Sequence, residues 1–338
     1  MKRNIIGIDI GKSSFHVSCH DADGHQLYRK RFTRPKLIQH LATIPPAHIA
    51  FEACGGCHWL GRLCLLYGHT VSALPPQFVK PYVKNHKNDF LDAEAIAEAA
   101  SRPSMRFVPI KSEDEQITGA IHRIRQGYVK ERTACMSRIG ALLLEFGISF
   151  PKGHHAMKAL FMKLAEINTP LPQALILELQ GLHEHYLYLN DKIAEQGNKL
   201  KQIVKESKVA QLLTSIPGIG VLTASQCIAA VGNASQFKQG RQFGAWLGLV
   251  PRQHSTGGKP TLLGISKRGD KHLRTLFIHC ARSILSRPEK TGTVFGTWLS
   301  SLLATKPFNV VCVALANKLA RIAWAVLRYQ RPFEATAL

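Results

Sequence analysis

In residues 4–33, NIIGIDIGKSSFHVSCHDADGHQLYRKRFT, three runs rich in β-branched and aromatic side chains are separated by Gly- and Asp-containing turns. The runs NIIGIDIG, SFHVSCHDADG and HQLYRKRFT predict three short strands in an antiparallel meander. Downstream the pattern alternates: a helix KLIQHLATI, a strand HIAFEACG, a helix HWLGRLCLLYG stopped by Gly68, a strand HTVSALPP and a helix DFLDAEAIAEAA. A meander followed by alternating helices and parallel strands predicts an α/β layered domain over residues 1–111, with strand ends open to carry a site.

Residues 112–208 read as helical. Ile117, Ile121, Ile124 and Tyr128, then Met136, Ile139, Leu143 and Phe146, recur at steps of three and four, and Leu175, Leu179, Leu182, Tyr186, Leu189 and Ile193 repeat the pattern. The link GISFPKGHHAM predicts an antiparallel pair of long helices. Stripes of this length exceed what one hairpin needs for itself, so a coiled coil joining protomers is expected in preference to a spacer. In the mainly helical region 209–338, LLTSIPGIGVLTASQCIAAVG has the shape of a helix-hairpin-helix. There the amides around Gly218 and Gly220, next to a helix N-terminus, can hold a phosphate; a purely structural αα-turn is the alternative.

The charge balance points to a polyanionic partner. Lys and Arg total 44 against 22 Asp and Glu, a formal net charge of +22. The excess is uneven: from Phe237 onward there are 16 Lys or Arg and only Asp270, Glu289 and Glu334 as acids. Nucleic acid is the leading candidate, and an inert basic surface is the alternative. Within this basic segment Lys267, Arg268, Lys271 and Arg274 follow Gly264 at a turn and helix start, and are expected to meet phosphates.

Cys54-Gly-Gly-Cys57-His58 matches a c-type haem attachment pattern and half a zinc site. Haem attachment belongs to exported proteins, whereas the apolar run near the N-terminus is interrupted by Asp9 and falls short of the roughly 7–15 residues of a signal-peptide core. No second Cys-x-x-Cys exists to complete a zinc site. The expectation is a cytoplasmic protein with no haem, its eight cysteines reduced. No membrane span is expected either, because Asn317, Lys318 and Arg321 break the most apolar segment.

Asp9 ends the first strand between Ile8 and Ile10, where an acid is costly unless it binds something. Glu52 holds the equivalent place at the end of the fourth strand. Asp89 and Asp92, three apart at a helix start, share one face. If the first and fourth strands are adjacent and the helix crosses their ends, the four acids converge, and a cation must neutralise them. Hard oxygen ligands select Mg2+ or Mn2+, which suits phosphodiester chemistry. Taken singly, Asp92 reads equally as an exposed helix acid and Asp89 with Asn88 as a helix cap.

The segments GIDIGKSSFHV, FEACGGCHW, KNDFLDAEAIAEA, SIPGIG and GLVPRQHSTGGK…GISKRGDKHLR, in this order and spacing, closely resemble the DEDD-type insertion-sequence transposases related to the Piv DNA invertase. That group is described as guided by a bridge RNA. The resemblance covers nearly the whole chain. It implies a RuvC-like, ribonuclease H-fold domain whose acid set is Asp9, Glu52, Asp89 and Asp92, and a coiled-coil middle. The C-terminal transposase domain then carries a serine nucleophile near PRQHSTGGK. A Mg2+ (or Mn2+) site and a covalent phosphoserine bond to DNA are implied. So are donor and target DNA and a guide RNA as partners, with dimers assembling to a tetramer. A structure-specific nuclease without a serine step and a basic RNA-binding adaptor with vestigial acids are the competing readings.

In one place the chain departs from the family pattern, which has a serine directly before the glycine. Here Thr256 precedes Gly257, and Ser255 stands one place earlier. A primary hydroxyl attacks a crowded phosphorus more easily than a secondary one, which favours Ser255 over Thr256. Gly257 and Gly258 would let this serine loop approach a phosphate closely, with Arg252 and Lys259 neutralising developing charge.

Overall fold

The computed structural model describes residues 3–83, 88–167, 170–287 and 295–334. The chain divides into two units, Met1–Glu113 and Asp114–Leu338.

In the first unit the elements run β1 (Ile5–Ile10), β2 (Ser14–His20), β3 (Gln26–Thr33), α1 (Arg34–Thr43), β4 (His48–Glu52), α2 (Cys57–Leu66), β5 (Thr70–Leu74), α3 (Pro76–Val79) and α4 (Asp89–Ser101). The sheet order is β3-β2-β1-β4-β5. β1, β2 and β3 pair antiparallel, whereas β1–β4 and β4–β5 pair parallel, as a meander followed by helical crossovers requires. This mixed α/β architecture is consistent with the ribonuclease H-like fold implied by the resemblance.

Strand alternation sorts the side chains into two layers. Ile6, Ile8, Phe15, Val17, Ile49 and Phe51 face α1 and α2, meeting Leu37, Leu41 and Leu60. Ala50 and Leu74 face the other way, against Ile96, Ala99 and Ala100 of α4. Gly7 lies on this second face. A Cβ there would collide with the Ala93 carbonyl oxygen, so the missing side chain lets α4 lie directly on β1.

The second unit begins with α5 (Glu113–Glu145), followed by α6 (His154–Lys158), α7 (Leu160–Ala165) and α8 (Gln173–Glu206). Arg132 Nη1 donates to Asn190 Oδ1 at 2.9 Å and the Cys135 thiol to the Leu182 carbonyl at 3.2 Å. Ascending numbers on α5 thus meet descending numbers on α8, an antiparallel pair with Ile139, Leu143, Leu179 and Leu189 in its core. In the N-terminal half of α5 two residues of the apolar stripe face outward. Ile117 and Ile124 are 55% and 48% exposed, while the polar Thr118 and His122 are buried. The reason is a hydrogen bond of 2.9 Å between His122 Nε2 and Ser225 Oγ, which turns that polar face inward.

The rest of the unit is α9 (Lys208–Thr214), α10 (Val221–Val231), α11 (Gly240–Trp246), β6 (Pro251–Thr256), β7 (Lys259–Ile265), α12 (Lys271–Leu285), α13 (Gly296–Thr305) and α14 (Phe308–Tyr329). α14 is long and apolar enough to cross a membrane by length and composition. In this fold Cys312, Leu315, Leu319 and Leu327 are instead buried against Leu273, Phe277 and Phe243 in one core.

Burial, with the nearby charges of His272 and Arg125, pushes the His122 pKa down to about 3. The unfolded chain then binds a proton that the folded chain refuses, so stability is full above the ordinary histidine pKa and is lost as pH falls toward 3. From pH 7.5 to 5 this residue removes about 2 kcal/mol. Urea unfolding at the two pH values should show a drop that His122→Gln reduces by that amount; an equal drop in both proteins means that His122 is protonated when folded.

Candidate functional site

β1 and β4 run parallel, with Gly7 opposite Ala50 and Ile8 opposite Phe51. Continuing this register, Asp9 and Glu52 leave the ends of neighbouring strands on the α4 side of the sheet. Asn88 caps α4, its Oδ1 accepting from the Phe90 amide at 2.9 Å, so Asp89 and Asp92 occupy the first turn. A helix N-terminus favours negative charge there. The four sequence-predicted acids are thereby brought into mutual influence. Burial raises the Asp9 pKa, and the charges of Asp89 and Asp92 raise it further. Glu52 is raised likewise by burial and then by Asp9 and Asp92. These carboxylates repel one another across a partly desolvated cleft, an arrangement that a cation relieves.

His16 belongs to the same cluster and was missed from sequence. β2 pairs it directly with Asp9, and its Nδ1 lies 3.9 Å from Asp9 Oδ2 and 3.4 Å from Asp89 Oδ2. One ligand atom each from Asp9, His16 and Asp89 lie within 4.8 Å of one another. The available signal was the tight β1–β2 connection, whose register places residues 9 and 16 across from each other. Oxygen donors with one imidazole form a donor set that fits a small divalent cation.

The Cys54–His58 motif does not converge on a ligand position. Cys57 is buried in the sheet–α2 core and Cys54 is exposed. His58 Nδ1 accepts from the Lys111 amide at 3.2 Å. Although Cys54 as a residue is exposed, partial desolvation of its sulfur beside the strand end, with the charges of Cys57, Glu52 and Asp9, pushes the thiol up to about 11, away from the thiolate that binds metal.

In the second unit the expected serine loop is a β-hairpin. β6 and β7 pair around Gly257 and Gly258, whose φ values of +56° and +77° suit the two-residue turn that joins twisted strands. Ser255 and Thr256 sit near its exposed tip. Cross-strand partners share a face, so Thr256 lies beside Lys259 while Ser255 lies beside Pro260. Lys259 is therefore on the opposite face from Ser255, contrary to expectation. The Ser255 hydroxyl accepts from Gln253 Nε2 at 2.8 Å. Arg252 is exposed beside a register shift at the base of β6.

Lys267, Arg268 and Lys271 are exposed around the start of α12. Arg274 is not. It is 8% exposed, and its Nη1 donates to the Leu247 and Arg268 carbonyls at 3.0 and 2.8 Å. The guanidinium holds two chain segments together, which corrects its expected role at phosphate. Gly218, at φ +81°, forms the turn between α9 and α10; a Cβ there would lie 2.8 Å from Ile284 Cδ1, so packing against α12 requires glycine. Gly220 is exposed and opens α10.

Fold and site together define a mixed α/β protein with an acidic centre, consistent with a ribonuclease H-like DEDD transposase. Two transposase family models match the chain: one of the DEDD type of IS110 over residues 6–148, and the transposase IS116/IS110/IS902 family over residues 210–294. The transposase for insertion sequence element IS1328 of Yersinia enterocolitica is 49% identical, covering 95% of this chain and 96% of its own length. The IS1111A transposase of Coxiella burnetii is 41% identical over 98% and 92%. The pilin gene-inverting protein of Moraxella bovis is 24% identical over 99% and 98%. The chain belongs to the IS110/IS116/IS902 family of DEDD transposases, and it is an insertion-sequence transposase that acts on DNA.

Proposed function

We propose that this transposase cuts and rejoins DNA with Asp9, Glu52, Asp89 and Asp92 as ligands of Mg2+ (or Mn2+) and with Ser255 as nucleophile. The observation that supports the reading is that Asp9 and Glu52 stand at neighbouring strand ends and feel the charge of the first-turn acids of α4, Asp9 that of Asp89 and Asp92 and Glu52 that of Asp92. The metal, when bound, polarises the phosphate and lowers the barrier to attack. The chain's own contribution is positional: the two strand ends fix Asp9 and Glu52, and the capped helix fixes Asp89 and Asp92. Gln253 holds the Ser255 oxygen on the exposed hairpin face. Attack of that oxygen on phosphorus forms a phosphoserine ester, the serine proton passing to the strand's sugar oxygen as it leaves, and the reverse attack by a sugar hydroxyl of a second strand returns a proton and restores the serine.

A guide RNA pairing with donor and target DNA supplies sequence choice, in keeping with a chain of net charge +22. The exposed Ile117 and Ile124 on α5 suit a coiled-coil contact between protomers, two such dimers making the tetramer. Residues 1–111, 112–208 and 209–338 then act as catalytic, coiled-coil and transposase parts, and the Pro217–Gly220 turn as a helix-hairpin-helix phosphate contact. Unpaired thiols suit a cytoplasmic site of action. Covalent trapping on a nicked DNA substrate, with sequencing of the RNA that copurifies, tests the reading: an adduct on the hairpin and one discrete RNA species support it, and neither being found contradicts it.

Lys267→Ala, Arg268→Ala and Lys271→Ala are each expected to lower the salt slope of DNA binding by about one, one phosphate contact each. Arg274→Ala should leave the slope unchanged and lower the unfolding midpoint instead, since the buried Leu247 carbonyl and the partly buried Arg268 carbonyl lose their donor. Binding isotherms at several salt concentrations, with urea melts, separate the two outcomes.

A further inference from the structure

We infer that the His16 imidazole is itself a ligand of the metal at the acidic centre, through Nδ1, and that it biases the site toward Mn2+ over Mg2+. The inference rests on the metal-site reading proposed above and goes beyond the four acids.

Geometry carries it. A charge-assisted hydrogen bond from an imidazole to a carboxylate closes to about 2.7–2.9 Å. His16 Nδ1 stands at 3.4 Å from Asp89 Oδ2 and 3.9 Å from Asp9 Oδ2, too long for either. Around an octahedral cation with bonds of about 2.1 Å, by contrast, neighbouring ligand atoms are about 3 Å apart and opposite ones about 4 Å. The three ligand atoms, all within 4.8 Å, are spaced like members of one slightly open coordination shell rather than like hydrogen-bonded partners.

The imidazole is also fixed in place. His16 is 9% exposed on β2, a strand paired on both sides by β1 and β3. Its ring meets Phe90 edge-on, with centroids 4.8 Å apart at 76°. Because Phe90 follows Asp89 on α4, the contact ties the ring to the turn that supplies two of the acids. A histidine serving only as counter-ion would gain from closing on one carboxylate; this one is held between two.

The chemical consequence concerns selectivity. Mg2+ prefers oxygen donors and gives up water reluctantly, whereas Mn2+, which also takes carboxylates, is a transition metal that accepts an imidazole nitrogen more readily than Mg2+ does. Removing a ligand should cost at least the roughly tenfold in affinity that even an outer-sphere partner supplies.

The test uses the purified full-length protein with Mn2+ or Mg2+ as the only added ligand. Electron spin-echo modulation of the Mn2+-loaded parent should show a directly bound nitrogen, absent in His16→Gln. Calorimetry should show Mn2+ affinity falling about tenfold or more in that variant with Mg2+ affinity within about twofold. No nitrogen coupling in the parent, or equal losses for both metals, overturns the inference. Asp9→Asn separates the two levels. If it weakens both metals while the parent lacks nitrogen coupling, the metal centre stands and His16 is no ligand; if it leaves Mn2+ binding intact, the metal centre falls and His16 falls with it.

Discussion

Asp9→Asn should abolish recombination, by about a thousandfold or more, while the metal-free protein melts at or above the parent temperature. A metal contributes several kcal/mol to a phosphoryl transition state, and each 1.36 kcal/mol is a factor of ten in rate. Burial and the neighbouring Asp89 and Asp92 raise the Asp9 pKa. An acid whose folded-state pKa is raised destabilises the fold once ionised: the stability it contributes below its unfolded pKa is lost as pH rises through the folded value. Near neutral pH without metal the charge therefore opposes folding, and an amide of the same size relieves it. Glu52→Gln should behave alike, since its pKa is raised by burial and by Asp9 and Asp92. Asp89→Asn and Asp92→Asn should also lose activity. Recombination assays paired with thermal melts in chelator check this, and retained activity in all four variants contradicts the assignment.

Ser255→Ala should eliminate the covalent protein–DNA adduct, whereas Thr256→Val should spare it. The two hydroxyls lie on opposite faces of the same strand, so one DNA phosphate cannot be served by both in the same pose. Ser255 has an unbranched side chain and an oxygen held by Gln253 at 2.8 Å. Thr256 has the crowding methyl but shares its face with Lys259, the cation expected to neutralise developing charge. The structure thus sharpens the choice between them. An adduct that survives Ser255→Ala and vanishes in Thr256→Val moves the nucleophile to the Lys259 face. One that survives both removes this hairpin from covalent chemistry. Peptide mapping of the trapped complex distinguishes these results.

The strand meander and the β-α alternation were legible because β1, β2, β4 and β5 bury residues on two different layers, and the Gly and Asp turns punctuate them. Asp9 and Glu52 stood out because acids at the ends of apolar strands are anomalous. His16 did not, since a histidine in a half-polar strand looks ordinary until the register sets it against Asp9. The hairpin at 251–265 escaped for a different reason. All of β6 and nearly all of β7 are exposed, so no hydrophobic alternation marks them, and only the Gly257-Gly258 pair signals the turn. Arg274 was read as surface because its charge is visible in sequence and its two carbonyl partners are not. The α5 stripe was legible as helical, but which of its faces turns inward is set by the distant Ser225.

Crystals of the full chain soaked in Mn2+ provide the most direct test of the metal centre. Anomalous difference density should appear between Asp9 and Asp89 at the carboxyl end of β1, within bonding reach of both carboxylates, and Asp9→Asn crystals should lose it. A parent crystal that binds Mn2+ elsewhere, or shows none at that position under saturating metal, contradicts the account.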